Sequence, residues 1–111
     1  MRGALNAFKF HLLPSMRPND RIHLMNLMVV EKFLSGGPEE VGARFREKGR
    51  MLPPGVAYLD SWMFADGTGC FQLMEAESVD ALRPWVEAWS DLVDFEMTPV
   101  VDSKAFWSAQ S

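Results

Sequence analysis

The sequence is poor in the residues that hold metal ions and form disulfides. Its one cysteine, Cys70, excludes an internal disulfide and fits a reducing compartment, so we expect a cytoplasmic protein. The two histidines, His11 and His23, belong to no Cys/His cluster, so the chain offers no zinc ligand set. Heme binding would require an axial ligand such as a histidine on a helix, and neither histidine lies in a predicted helix. We therefore expect no metal and no cofactor.

Long hydrophobic runs and an excess of positive charge are also missing. No apolar run approaches the roughly 20 residues that a membrane-spanning helix needs, so we expect no membrane partner. The net charge of -4 argues against a broad basic surface for nucleic acid. The chain also contains no glycine-rich phosphate loop and no Ser-His-Asp set. These absences leave small molecules and protein partners as the remaining classes of ligand.

Apolar and aromatic side chains are plentiful enough for one well-packed domain. The chain has 111 residues, of which 48% are hydrophobic, with four Trp and eight Phe, and there is no room for a second core. Residues 1–22 lack periodicity and end in a turn cluster at Pro14, Pro18, Asn19 and Asp20, so we expect a poorly ordered extension. The predicted domain spans 23–102, and a short tail spans 103–111.

The pattern within 23–102 predicts an α+β fold of the ferredoxin-like type. Strands are predicted at 23–33, 56–64, 69–76 and 93–101, with helices at 38–48 and from Ser78 or Asp80 onward. This β-α-β-β-α-β order implies a four-stranded antiparallel sheet with two helices on one face. Pro84 lies in the first turns of the second helix and is expected to kink it or delay its start.

The Asp66-Gly67 turn fixes a predicted hairpin register between the second and third strands. Phe64 should pair with Gly69, Trp62 with Phe71, and Asp60 with Leu73. The other sheet face should then carry Leu59, Ser61 and Met63 opposite Met74, Gln72 and Cys70.

Apolar residues on both faces of the predicted sheet favour a homodimer. The first strand is apolar on both sides, and the third places Phe71 and Leu73 on one face and Cys70 and Met74 on the other. Two helices cover only one face of a four-stranded sheet, so a symmetric copy is the simplest cover for the second face. Folding back of the N-terminal extension is the alternative.

Four separated blocks resemble an uncharacterised bacterial family, a domain of unknown function in the dimeric α/β-barrel superfamily. The blocks are 43–53 (ARFREKGRMLP), 58–62 (YLDSW), 70–75 (CFQLME) and 89–96 (WSDLVDFE). The resemblance covers about residues 24–101, and similar members begin near Met25. It implies the dimeric α/β-barrel fold, but no activity, because the superfamily includes monooxygenases, lactone isomerases, heme proteins and members without known chemistry.

Asp60 is the sharpest catalytic candidate in the sequence. If it shares a strand face with Tyr58 and Trp62, poor solvation would raise the pKa of its carboxyl and suit it to proton abstraction. The alternative is a structural aspartate paired with Arg46 or Arg50.

A ligand pocket could be lined by polar and aromatic residues of the second and third strands and the second helix. These candidates are Tyr58, Trp62, Gln72, Trp85 and Trp89. Aromatic residues at such spacing are more often plain core. The basic run 44–50 could hold an anionic ligand, although such runs more often form a solvated helix face.

Two functions follow from these candidates. The first is a non-catalytic dimeric module that binds a small hydrophobic or aromatic molecule between sheet and helices. The second is a cofactor-independent monooxygenase- or isomerase-like enzyme that uses Asp60 as its base.

Overall fold

The structure is a computed structural model that describes residues 23–34 and 37–110. Residues 1–22, which we predict to be a poorly ordered extension, lie outside the described residues. None of the helices in the described part of the chain is long and apolar enough to cross a membrane.

The order of the elements confirms the ferredoxin-like prediction. The described residues form four strands: β1 (Met25–Phe33), β2 (Ala57–Met63), β3 (Gly69–Ala76) and β4 (Val93–Val100). They also form the helices α1 (Gly37–Lys48), α2 (Arg83–Trp89) and α3 (Ser103–Ala109), and a short 3-10 helix, Val79–Leu82, precedes α2. The sheet order is β2-β3-β1-β4, and every neighbouring pair is antiparallel.

Pro84 delays the second helix as predicted. The Ser78 hydroxyl caps the 3-10 helix by accepting a hydrogen bond from the Ala81 N–H at 3.2 Å. The α-helix begins only at Arg83, which places Pro84 in the first turn. A missing N–H costs nothing there, because the first turn of a helix has no carbonyl partners for its N–H groups.

The core lies between the sheet and the helices. Alternate residues of β1, β3 and β4 point to this side, and Leu27, Val29 and Met74 are fully buried. Trp85 of α2 packs edge-on against Phe95 of β4, with the ring centroids 5.0 Å apart. Large buried side chains of this kind contribute about 2–3 kcal/mol each to the free energy of unfolding.

The hairpin register is confirmed near the turn and wrong at one position beyond it. Phe64 bonds to Gly69, and Trp62 pairs with Phe71 and Asp60 with Leu73, as predicted. A register shift at Leu59 then places Tyr58 opposite Met74. An extra residue in one strand reverses the faces of everything before it. Tyr58 therefore lies on the helix side of the sheet, and the prediction that it shares a face with Asp60 and Trp62 is wrong.

The second face of the sheet carries an apolar strip. Met28 and Val30 of β1 are half-buried, and beside them on β2 and β3 Trp62 and Phe71 remain 50% and 41% exposed. The described residues therefore leave this face, called the open face below, largely uncovered.

The C-terminal tail forms a short helix. Asp102 caps α3 by accepting a hydrogen bond from the Ala105 N–H at 3.0 Å. Phe106 and Trp107 pack edge-to-face at 5.0 Å, yet they are 45% and 67% exposed. The helix thus presents a second apolar surface to its surroundings.

Candidate functional site

A cavity of about 240 Å³ lies between the sheet and the two helices α1 and α2. Most of its walls are apolar, and its polar groups come from the strands and from the segment after α1. The lining residues are Glu31, Phe33, Pro38, Val41, Gly42, Phe45, Arg50, Ser61, Met63, Cys70, Gln72, Trp85 and Trp89.

Helix α1 covers this cavity instead of packing tightly on the sheet. None of its described side chains is buried: Val41 is half-buried, and Phe45 is 44% exposed. Helix α2, in contrast, buries Trp85 and Trp89. An amphipathic helix in a two-layer fold normally buries its apolar stripe. The space that α1 leaves unfilled is the cavity.

Glu31 is the buried ionisable group of the cavity. It lies on β1 with the parity of Leu27 and Val29, so its side chain points to the helix side and is only 5% exposed. The Gln72 amide donates a hydrogen bond to one carboxylate oxygen, and the Cys70 thiol donates to the other at 3.5 Å. Desolvation raises the pKa of Glu31, while these two hydrogen bonds and the charge of Arg50 oppose the rise.

The Cys70 thiol is a neutral member of this group. Burial, followed by the charge of Glu31, raises its pKa to about 12. Only the thiolate is a good nucleophile. Cys70 is therefore a small hydrogen-bonding wall residue at neutral pH, not an attacking group.

Arg50 closes one side of the cavity. It lies between Gly49 and Met51, whose φ angles of 70° and 61° turn the chain sharply after α1. Its Nε donates to the Gln72 side-chain oxygen at 3.1 Å, and its guanidinium carbon lies 3.5 Å from the centroid of the Tyr58 ring. Arg50, Gln72 and Glu31 thus form one connected polar chain across the sheet.

The two tryptophans of α2 differ in how their indole N–H groups are satisfied. The N–H of Trp89 donates to the Arg50 carbonyl oxygen at 3.0 Å. The N–H of Trp85 is buried and has no hydrogen-bond partner among residues 23–34 and 37–110. An unsatisfied buried donor costs about 1–3 kcal/mol. Trp85 therefore lines the cavity and carries a buried hydrogen-bond donor that none of the described residues uses.

The structure brings three of the predicted ligand-binding residues to one cavity. Gln72, Trp85 and Trp89 line it directly. Tyr58 lies beside the cavity, because its ring stacks against Arg50, a lining residue. The Tyr58 hydroxyl is hydrogen-bonded to the Ser61 hydroxyl at 2.6 Å. The bulge at Leu59 is what carries Tyr58 to this side.

Asp60 and Trp62 lie on the open face, away from the cavity. The Asp60 side chain is exposed and accepts a hydrogen bond from the Ser61 backbone N–H at 2.8 Å. Within the described part of the chain, no ion pair joins it to Arg46 or Arg50. The hypothesis that Asp60 acts as a base stays a prediction, and the cavity lends it no support.

Glu31 is a site residue that is absent from the candidates predicted from the sequence. The signal was a lone carboxylate within the apolar run LMVVEKF, at the same parity as the inward-facing Leu27 and Val29. The basic run 44–50 was also predicted to be a single surface. In fact Arg44 forms a two-point pair with Asp91, both contacts at 2.7 Å, and Arg50 faces the cavity. The pair holds the pKa of the Asp91 carboxyl below its usual range.

A metal centre is not formed by the described residues. Across 23–34 and 37–110, no three His, Cys, Asp or Glu side chains come close enough to hold an ion together.

Comparison with known proteins identifies the family but gives no activity. Residues 25–111 match the family described as "Domain of unknown function (DUF3303)", and the chain belongs to this family. No curated protein and no solved structure matches the chain.

Proposed function

We propose that this DUF3303 domain binds one small aromatic molecule in the cavity between the sheet and helices α1 and α2. The observation that carries the proposal is the loose packing of α1 against the sheet. Helix α1 has no buried side chain and lies over a mostly apolar cavity of about 240 Å³. Ligand sites are typically clefts with mostly apolar walls and a few fixed polar groups, and this partly open cavity has that form, which favours a binding role.

The size of the cavity limits the ligand to one ring with small substituents. An apolar cavity of about 150 Å³ accepts benzene, or about 25 Å³ per heavy atom. The cavity here then accepts about ten heavy atoms. At about 0.5 kcal/mol per heavy atom, such a ligand would bind with a Kd of roughly 0.2 mM.

The polar groups of the cavity fit a binding site because they are few and fixed in place. Gln72 is held by Arg50 and Glu31, and Trp89 is held by the Arg50 carbonyl. Ligand sites typically combine apolar walls with a small number of fixed polar groups.

A blocking variant tests the proposal. Val41→Phe places a ring beneath α1 in the cavity, and Ala43→Phe introduces the same ring at an exposed position of the same helix. Toluene and phenol are titrated into each protein by calorimetry. Since each probe has seven heavy atoms, the same 0.5 kcal/mol per atom gives a Kd of about 3 mM. We expect at least one of them to bind the wild type and Ala43→Phe with that affinity or tighter, and at least a tenfold loss in Val41→Phe. Binding that survives Val41→Phe unchanged, or no binding to the wild type, would contradict the proposal.

A second candidate function is cofactor-independent proton transfer, and the buried Glu31 favours it. A carboxylate whose pKa is raised by desolvation is a stronger base than one in water. Glu31 lines the cavity whereas Asp60 does not, so we assign the base to Glu31 in this version of the enzyme hypothesis.

The ring opening of 1,2-benzisoxazole tests this second function. A base removes the ring C–H proton, the N–O bond breaks, and 2-cyanophenolate forms, which absorbance detects. We expect the wild type and Asp60→Asn to accelerate the reaction and Glu31→Gln not to do so. Equal rates in wild type and Glu31→Gln would eliminate Glu31 as a base, and loss of rate only in Asp60→Asn would restore Asp60.

We also propose that two copies of the chain pair through the open face. Residues 23–34 and 37–110 leave two apolar surfaces uncovered, the open face around Trp62 and Phe71 and the α3 surface of Phe106 and Trp107. A two-fold axis allows one association to cover both on each copy.

Sedimentation of the wild type and of Phe71→Glu tests the pairing. Phe71 is 41% exposed in the single chain, so a charge there should prevent pairing without unfolding the domain. We expect a wild-type dimer at about 10 µM, a folded Phe71→Glu monomer, and an unchanged dimer for Ala43→Glu as a surface control. A wild-type protein that sediments as a monomer would refute the pairing.

A further inference from the structure

We infer that the cavity selects neutral aromatic molecules that carry a hydroxyl group, and this inference rests on the proposed function. The hydroxyl donates a hydrogen bond to the Glu31 carboxylate and accepts one from the indole N–H of Trp85. The inference names a ligand class, single-ring phenols, and two residues that recognise it.

Glu31 supplies the acceptor. Both of its oxygens already receive hydrogen bonds, from Gln72 and Cys70, so the network around it is arranged for the ionised carboxylate. A carboxylate has about four lone-pair positions, and two donors leave room for a third. A ligand hydroxyl therefore has a charged acceptor within the cavity wall, which makes a stronger hydrogen bond than a neutral one.

Trp85 supplies the donor. Its side chain is 1% exposed and lines the cavity, and its N–H has no partner in the part of the chain that the structure describes. Buried polar groups are nearly always hydrogen-bonded in native proteins, so this N–H should have an acceptor, and residues 23–34 and 37–110 do not provide one. A hydroxyl oxygen can accept this bond while its proton is donated elsewhere.

The charges around the cavity favour a neutral ligand over an ionic one. A ligand carboxylate would be repelled by Glu31 and a ligand ammonium group by Arg50, while the attraction from the oppositely charged residue is weakened because Arg50 and Glu31 already compensate each other. These two groups are linked to each other through Gln72, and the guanidinium also lies over the Tyr58 ring. The pair is thus balanced without the ligand, and an ion would disturb that balance.

Calorimetric titration with four probes of similar size tests the inference. The probes are toluene, phenol, benzoate and benzylamine. We expect phenol to bind about tenfold more tightly than toluene, its near-isostere, with benzoate and benzylamine weaker than toluene. Toluene binding as tight as phenol binding would overturn the inference and leave the proposed function standing. Benzoate or benzylamine as the tightest probe would also overturn it, whereas no binding by any probe would remove the proposed function as well.

Two variants locate the recognition. Glu31→Gln and Trp85→Phe should each keep toluene binding within about threefold of wild type and reduce the preference for phenol from about tenfold to under threefold. Asp60→Asn, on the open face, is the matched control and should keep the full preference. An undiminished preference for phenol in both cavity variants would overturn the assignment of these residues. If Trp85→Phe does not fold, Glu31→Gln alone decides the outcome.

Discussion

Arg50 is the residue whose replacement tests the polar chain of the cavity most informatively. Arg50→Met keeps most of the aliphatic side chain and removes the guanidinium. Three contacts disappear: the 3.1 Å hydrogen bond to Gln72, the stacking 3.5 Å over the Tyr58 ring, and a longer contact 5.2 Å from the centroid of the exposed Phe45 ring, which contributes least. A hydrogen bond from a charged donor contributes about 1.5 kcal/mol to the free energy of unfolding, and a cation–π contact contributes about 1 kcal/mol. The expected loss from these contacts is about 2–3 kcal/mol.

A further loss should depend on pH, because Arg50 favours the ionised form of Glu31. Burial already raises the pKa of Glu31 above its value of 4.5, and removing Arg50 raises it more. A raised pKa means that the folded state binds the proton more tightly than the unfolded state. The resulting stabilisation is complete below about pH 4.5 and is lost as the pH rises through the folded-state pKa. Since this pKa is higher in Arg50→Met, the variant loses more stability than wild type as the pH rises.

Urea unfolding of wild type, Arg50→Met, Glu31→Gln and the double variant at pH 5 and pH 8 measures both effects. We expect Arg50→Met to cost about 2–3 kcal/mol at pH 5 and more than that at pH 8. The extra loss at pH 8 should vanish when the two Glu31→Gln backgrounds are compared. Equal losses at both pH values, or a persistent extra loss without Glu31, would refute the electrostatic link between these residues.

Three further variants or reactions have expected outcomes. Gly69→Ala should cost about 2–3 kcal/mol by urea unfolding, because a Cβ there collides with the Glu31 carbonyl on the neighbouring strand; a neutral effect would show that the strands can separate. Gly42→Ala should raise the free energy of unfolding by up to about 1 kcal/mol, because its Cβ meets only the end of the Arg46 side chain at 3.4 Å; a loss of stability would mean that the helix geometry differs. Cys70, with a pKa of about 12, should react with iodoacetamide at pH 8 only after unfolding, and rapid modification of the folded protein would contradict its placement.

Much of the architecture followed from short-range sequence signals. The Asp66-Gly67 turn set the hairpin register through Asp60, and β3 was predicted with the bounds that it has. Ser78 was correctly predicted as a cap, although it caps the 3-10 helix, and Pro84 correctly indicated that the α-helix starts later, at Arg83. These features depend on local backbone chemistry, which a single sequence displays directly.

The content of the site followed less well, because it depends on side chains that are far apart in the sequence. The bulge at Leu59 carries no glycine or proline signal, and it alone decides that Tyr58 faces Arg50 while Asp60 faces away. Glu31 and Gln72 meet only through the pairing of β1 with β3, which local periodicity does not specify. The partly filled interface beneath α1 was also invisible, since Val41 and Phe45 have the spacing of ordinary core residues.

The indole region of the ¹H–¹⁵N spectrum tests the ligand site most directly. The chain has four tryptophans, and the Trp85→Phe variant assigns the Trp85 N–H signal. Titration with phenol should shift that signal saturably and downfield as its N–H gains an acceptor. The signals of Trp62, on the open face, and of Trp107, on α3, should stay unchanged. A Trp85 signal that does not move, or shifts confined to Trp62 and Trp107, would contradict a ligand site in this cavity.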